Sequence, residues 1–537
     1  MATSSMWTEA ESRAIAPYFT NLDRPVFALI NLPETVKGAL FARYSRSPKS
    51  LRRLFLDEFY TEVQAAPVEA AVGLERADKL YQRVFNEYGD DSVAQLGGVH
   101  LAVEDASNIL TKVLERGRLM AYLEQSTRYI PYTERRGDSW RFLVPADLDG
   151  HPLRAKYVDT LNRTFEVYSR WIDPMRVWFE QRYPKAPGDS DAVYRSAIRA
   201  KALDTLRGLL PASTQSNVGM YGTGQSYEAL LLRMLAHPLA EVRQTAELML
   251  VELRRVIPAF LTRVDQPERG GQWSRYLADI REQTAALAER IDAAGDPSSS
   301  PDEVTLTDFD PDGEVKVVAA ALYPGSSLPD ADLLAIARRM PAAERMAVLK
   351  ACVGDRRNRR HRPGRAFERT SYRFDILTDY GAFRDLQRHR LMTIEWQALT
   401  ARHGFSRPEA VVEAGGGADW GMVMEQSAEL FEALHAAGLP HVASYAVSMA
   451  YRVRFVMDMN AREAMHVIEL RTAPAGHPAY RRVCQQMHQL IADVAGHQAI
   501  AATMQFADHS VVELERLQEE RRLEQKRAGR GSPTTGA

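Results

Sequence analysis

Apolar positions along this chain recur mostly with the three-to-four-residue spacing of a helix that buries one face, and only locally with the alternation of a strand. The spacing predicts helices over Ser92–Arg118, Gln225–Leu235, Arg243–Leu261 and Trp273–Ile291 in the first half. In the second half it predicts Glu425–Ala437, His441–Met457 and Arg462–Arg471. β-Branched runs predict strands at Arg141–Val144, Glu314–Tyr323 and Tyr372–Leu377. Periodicity stops in Asp292–Glu314, where Gly, Pro, Ser and Asp take over, so that stretch reads as a linker. Val511–Arg527 reads as a charged helix and 528–537 as a disordered tail. The expected class is α+β with helix in excess.

Charge narrows the function. The chain has 537 residues, with 68 Lys and Arg against 70 Asp and Glu, a net charge of −2. No global field draws it to a nucleic-acid polymer or an anionic membrane, so phosphate recognition must come from local arginine clusters. The two cysteines, Cys352 and Cys484, make neither a disulfide framework nor a thiolate metal site. With no basic-apolar leader and no run of about 18 apolar residues, a reducing cytoplasmic setting without membrane insertion is expected. Gly-x-Ser-x-Gly and the phosphate-cradling Gly-x-x-x-x-Gly-Lys loop are both absent.

The candidate chemistry is carried by arginines. In ERGRLMAYLEQSTRY (Glu115–Tyr129), Arg116 and Arg118 cannot share one helix face. Glu124, Ser126 and Arg128 alternate as on an extended edge, which would hold a nucleotide by phosphate and sugar hydroxyls or else form a surface ion pair. RDLQRHR (Arg384–Arg390) places two cations around His389, suited to a phosphate or pyrophosphate or to a solvated helix face. NAREAMHVIELR (Asn460–Arg471) puts Asn460, Glu463 and Arg471 near one side, as a cofactor-lining or simply half-exposed helix would. DRRNRRHRPGR (Asp355–Arg365) is a phosphate loop, a dimer contact or a solvated loop. Glu432-x-x-His435 and Glu463-x-x-His466 match a di-iron spacing, but the further helix-borne glutamates such a site needs are not evident. A weak repeat joins the halves: Arg116-x-Arg118 against Arg388-x-Arg390, and Arg233 with Arg243 against Arg471 with Arg481. It suggests one domain present twice, over 1–291 and 314–527, joined by a linker at 292–313.

These motifs resemble the flavin-dependent thymidylate synthases, whose pattern is R-H-R-x-x-S-x-N-E-x-S-x-R. The first half keeps Arg116, Arg118, Glu124, Ser126 and Arg128, with Gly117 in place of His. The second keeps Arg388, His389 and Arg390, with Trp396, Ala398 and Thr400 where Glu, Ser and Arg are expected. Downstream, Asn460-Ala-Arg462, Leu470-Arg471 and Arg481 are similar to the family's cofactor-lining helix, whereas the first half has Gly222 and Gly224 in place of Asn and Arg. His361–Glu368 is similar to the family's His-x-Ser-Pro-x-Glu-His element, and Gly89–Gln95 more distantly so. The resemblance spans most of the chain apart from an insertion at Gly137–Lys201.

The resemblance implies two copies of a helix-rich thymidylate-synthase-complementing-type domain, each with a small sheet. It implies FAD as cofactor, dUMP as substrate, and methylene-tetrahydrofolate and NAD(P)H as cosubstrates in dTMP biosynthesis. Arg388, His389, Arg390, Asn460, Arg462 and Arg116 would form the flavin side; Arg118, Glu124, Ser126, Arg128 and Arg471 the nucleotide side. Because such sites form between subunits, a duplicated chain would act as a pseudo-dimer and a homodimer as a pseudo-tetramer. The alternative is a non-catalytic or repurposed flavin- or pyrimidine-nucleotide-binding protein.

Overall fold

The computed structural model describes residues 7–25, 27–44, 49–65, 95–137, 139–294 and 302–511, with 514, 517, 520, 521 and 524 beyond them. Residues 89–94, the first residues of the expected Ser92–Arg118 helix, most of 511–527, and 528–537 lie outside the described residues. The chain forms two compact units. Unit 1 comprises Met1–Ala106, Gly117–Glu124 and Asn217–Asp296; unit 2 comprises Ser107–Arg116, Gln125–Ser216 and Pro297–Ala537. Segments of the first half of the sequence therefore fold into unit 2 together with the second half.

The class is α+β with helix in excess. In chain order the strands are β1 (Gly98–Ser107), β2 (Met120–Glu124), β3 (Arg135–Arg136), β4 (Ser139–Trp140), β5 (Gln215–Thr223), β6 (Val304–Phe309), β7 (Ser371–Asp379), β8 (Thr393–Trp396) and β9 (Arg452–Asn460). One sheet has the order β1-β5-β2, another β6-β7-β9-β8, and β3 pairs with β4. The two larger sheets repeat one plan: β5 and β9 take the centre, and β6 is an added edge. The strand-to-helix exits repeat as well. Helices Asn108–Leu114, Gly224–Leu235, Tyr380–Leu386 and Ala461–Arg471 follow β1, β5, β7 and β9 without a loop.

Each exit is closed by a polar side chain that accepts from the backbone three residues on. Ser107 accepts from Leu110 N at 3.0 Å and Thr223 from Ser226 N at 3.3 Å. Asp379 and Asn460 accept from Ala382 N and Glu463 N, both at 2.9 Å. These caps satisfy orphan donors at helix starts and contribute about 1 kcal/mol apiece.

Within unit 2 the two copies are tied directly. The 3-10 turns Arg207–Leu209 and Ser444–Ala446 precede equivalent stretches that bridge at Pro211 and Ser448. Ala212 N donates to Val447 O at 2.8 Å, while Met449 N and Ala450 N donate to Leu210 O and Gly208 O, each at 2.9 Å. Gly208 is required by this approach, because a Cβ there would stand 2.9 Å from the Trp420 ring.

Several sequence expectations are corrected. His441–Met457 is not one helix: after short turns it becomes β9, whose Val453, Phe455, Met457 and Met459 are buried in alternation. In the described part of Ser92–Arg118, Gly98–Ser107 is β1, again with an alternating pattern, and only Asn108–Leu114 is α-helical. Apolar residues spaced by two were read there as helix because the intervening residues are also partly apolar. Glu314–Tyr323 is helix, Gly313–Leu322, where its alanines outweigh the valines. Arg141–Val144 forms only an isolated bridge from Phe142 to Thr214. The stretch read as linker contains β6, held by β7 through pairs such as Val304–Ile376. Helix Gly270–Ala294 and strand β7 agree with the pattern.

Candidate functional site

Unit 2 gathers guanidinium, carboxyl and imidazole groups from distant parts of the chain around the buried Asp204, Arg207, Asp385 and His389, with Arg388 at the exposed margin. Arg128 comes from the segment after β2, Asp204 from the last turn of helix Asp191–Leu206, and Arg207 from the turn that follows. Asp385 lies in helix Tyr380–Leu386 and Arg388 just beyond it. Arg128 reaches Asp204 at 2.8 Å and the Tyr480 hydroxyl at 3.4 Å. Arg207 stands 3.4 Å from Asp204 and 3.6 Å from Asp385, and Arg388 3.7 Å from Asp385.

Four arginines, Arg388, Arg207, Arg471 and Arg128, face Asp385 and hold its carboxyl far below the ordinary range against the opposing effect of burial. Asp204 is likewise depressed, to about 2: burial works to raise it, and His477, Arg207 and Arg128 outweigh that. The group thus has more fixed cations than anions. Among the described residues, Arg128 Nε, Arg207 Nη2 and Asp204 Oδ1 are buried without a hydrogen-bond partner. Buried polar atoms left in this way are costly unless something completes them. An excess of pre-oriented guanidinium groups is the arrangement that recognises phosphate.

Next to this cluster, Arg471 Nε donates to His389 Nε2 at 2.9 Å. The neutral His389 ring therefore carries its proton on Nδ1, which faces Glu463 Oε1 at 3.6 Å. Burial, reinforced by Arg471, keeps His389 well below its ordinary pKa. Burial raises Glu463 to about 7, and burial with Arg362 lowers His466 to about 4. Donor atoms of His389, Glu463 and His466 lie within 4.8 Å of one another. The set does not suit a metal cation, because Arg471 occupies the His389 lone pair and Arg362 Nη2 sits 3.3 Å from His466 Nε2. The other Glu-x-x-His motif is no better placed, since Glu432 is engaged by Arg402 at 3.0 Å. The group suits an anionic or polar ligand instead.

The sequence-derived residues fall in different places. Arg128, Arg388, His389 and Arg471 belong to the cluster, and Ser126 Oγ braces it by accepting from Arg128 N at 3.2 Å. Arg116 pairs with Glu395 at 2.5 Å and stands over the Trp396 ring. Trp396, which replaces the motif Glu in the second copy, thus carries a first-copy arginine. Asn460 is the helix cap described above, and Arg462 bonds Pro363 O and Glu368. Arg390 follows His389 and is half-buried. Arg118, exposed, and Glu124, buried, belong to unit 1.

Sequence reasoning missed Asp204, Arg207, Asp385, His477 and Tyr480. A signal existed in Asp204-x-x-Arg207 and Asp385-x-x-Arg388, both acid-to-arginine pairs at helical spacing. In the arginine-rich loop, Arg356 is buried against Glu469 and Arg362 lies on His466, so part of that run is structural.

The depressed histidines predict a pH dependence. His477 is lowered to about 3 by burial, with Asp204 partly offsetting, and His466 to about 4. The unfolded chain binds protons first, so stability is lost as pH falls from about 6.5 toward 4. Glu463 acts in the opposite sense between about 7 and 4.5. His477 Nδ1 caps its helix by accepting from Ala479 N at 3.2 Å, a task asparagine can perform. His477→Asn should flatten the acid limb by up to ~1.4 kcal/mol per pH unit, read from urea midpoints across this range.

Comparison with known proteins identifies the family. The family described as thymidylate synthase complementing protein matches residues 39–259 and 305–496. The chain is 37% identical to the UPF0159 protein of Chlamydia muridarum over 96% of its own length and 98% of that protein's. It is 30% identical to the UPF0159 protein Ta1429 of Thermoplasma acidophilum, covering 92% and 99% of the two chains. A flavin-dependent thymidylate synthase of Clostridium tetani is 21% identical over 40% of this chain and 81% of that protein. On the strength of the matched segments and full-length relatives, the chain belongs to the thymidylate synthase complementing protein family.

Proposed function

We propose that this protein methylates a pyrimidine nucleotide, dUMP to dTMP, with FAD, methylene-tetrahydrofolate and NAD(P)H, at a composite site to which both halves of the chain contribute. The observation that carries the reading is the convergence of Arg128 and Arg207 from the first half with Arg388, His389 and Arg471 from the second around Asp385. Unsatisfied buried Arg128 Nε and Arg207 Nη2 fit a phosphate-bearing ligand.

Arg128 and Arg471, with Ser126, form the nucleotide side. Arg388, His389, Arg390 and Arg116, with the helix set by Asn460 and Arg462, form the flavin side. When bound, the flavin supplies the relay of the one-carbon unit and the reducing equivalents, so no protein nucleophile is needed. Asp385 keeps the arginines charged and oriented. His389, neutral and fixed by Arg471, presents an Nδ1 proton, and Glu463, with its pKa near 7, can hold or release a proton at the carboxyl facing it.

The test is the absorption spectrum of the purified protein with and without dUMP. A bound flavin spectrum perturbed by dUMP is expected, and Arg388→Ala should lose most of the flavin. Colourless wild-type protein that takes up no added FAD overturns the reading. Flavin binding without dUMP-dependent oxidation of the reduced form would favour the non-catalytic alternative, which the two cofactor-side residues engaged elsewhere, Asn460 and Arg462, also favour.

A further inference from the structure

The helix Gly270–Ala294 of unit 1 is secured at one end only. Its first half touches the helix Gly224–Leu235, Ser274 Oγ donating to Leu232 O at 3.3 Å. From Glu282 to Asp292 every residue is exposed. A free helix in water is marginal at this length, and helical stability in proteins comes mainly from packing an apolar face. Such a face is present and is left uncovered by the described residues. Trp273, Tyr276, Ile280, Leu287 and Ile291 are 55, 60, 44, 50 and 70% exposed. At about 100° per residue they fall within a sector roughly 60° wide, with Thr284 beside it.

We propose that two copies of this chain pair antiparallel through this helix, about a two-fold axis passing near Glu282. The operation pairs apolar with apolar or small residues: Trp273 meets the partner's Ile291, Tyr276 the partner's Ala288, Ile280 the partner's Thr284, and Leu287 the partner's Leu277, which flanks the row. A two-fold interface requires this reciprocity. Charge favours the same direction. The N-terminal half carries Arg275 and Arg281 against Asp279, and the C-terminal half Glu282, Glu289 and Asp292 against Arg290. Antiparallel pairing sets the net positive half against the net negative one and opposes the helix dipoles; parallel pairing stacks like on like.

Sedimentation of the full-length protein across a micromolar range tests the proposal, with mass as the readout, so its failure leaves the proposed function standing. The wild type should be dimeric or larger. Leu287→Glu combined with Ile291→Glu, at exposed positions, should raise the dissociation constant at least tenfold with an unchanged thermal transition. In a Cys352→Ser background, Trp273→Cys and Ile291→Cys proteins should be linked by a short bis-maleimide when mixed, and neither alone. A monomeric wild type, an assembly indifferent to the glutamates, or linking of either variant to itself would overturn it. The last outcome would indicate parallel pairing, and the first would leave the row to another partner.

Discussion

Replacing Glu469 by alanine should cost unit 2 about 3–5 kcal/mol of unfolding free energy, among the largest losses any single substitution in this chain can produce. Glu469 and Arg356 have side chains 1% and 2% exposed, with Arg356 Nη1 donating to Oε1 at 2.7 Å and Nη2 to Oε2 at 2.5 Å. Phe506 N also donates to Oε1, at 3.3 Å, and Arg356 Nη1 also reaches Thr503 O. Removing the carboxylate strands a guanidinium that cannot be neutralised by losing its proton, away from water. Urea unfolding would measure the loss, and a change under ~1 kcal/mol would mean that water screens the pair. The double variant Arg356→Met with Glu469→Leu should be less destabilised than Glu469→Ala, because no charge is left unpaired.

Asp385→Asn should be comparably severe, at about 3–5 kcal/mol, and should differ in being rescued by an anion. Without this carboxylate, Arg207 and Arg388 lose their shared counter-ion, and Asp204 alone faces Arg128 and Arg207. A ligand that binds only the folded state raises its stability in proportion to occupancy. Inorganic phosphate or dUMP should therefore raise the thermal midpoint of Asp385→Asn by more than that of the wild type. Equal shifts in the two proteins would mean that the cluster is closed to anions and that its arginines serve only to hold the fold.

The same residues separate what pattern alone can tell from what it cannot. The arginine pairs at 116, 118, 388 and 390 and the Asn460–Arg471 helix were visible because their spacing is short and their residue types are uncommon together. Helix Gly270–Ala294 was visible because one long stretch carries a single period. β9 was not, since its buried Met and Phe alternate with Val456 and Arg454, which blurs a two-residue period into an apolar run. Asp204 and Asp385 each carry a local hint in an arginine three residues on, but nothing local announces that they and Glu469 will be buried, or that Arg128, Arg207 and Arg356 will reach Asp204, Asp385 and Glu469 from distant parts of the chain.

The sequence by itself determined that this is a helix-rich α+β chain, that one motif set occurs twice, and that each copy lacks what the other retains. These follow from composition, short-range period and residue identity. Only the tertiary structure decided that Ser107–Arg116 and Gln125–Ser216 fold with the second half, and that Asp385 draws arginines of both copies together. The physical reason is that burial and long-range charge pairing are properties of the folded chain. A carboxylate such as Asp385 acquires its role from the guanidinium groups that packing adds to its sequence neighbour, and the sequence does not specify the distant ones.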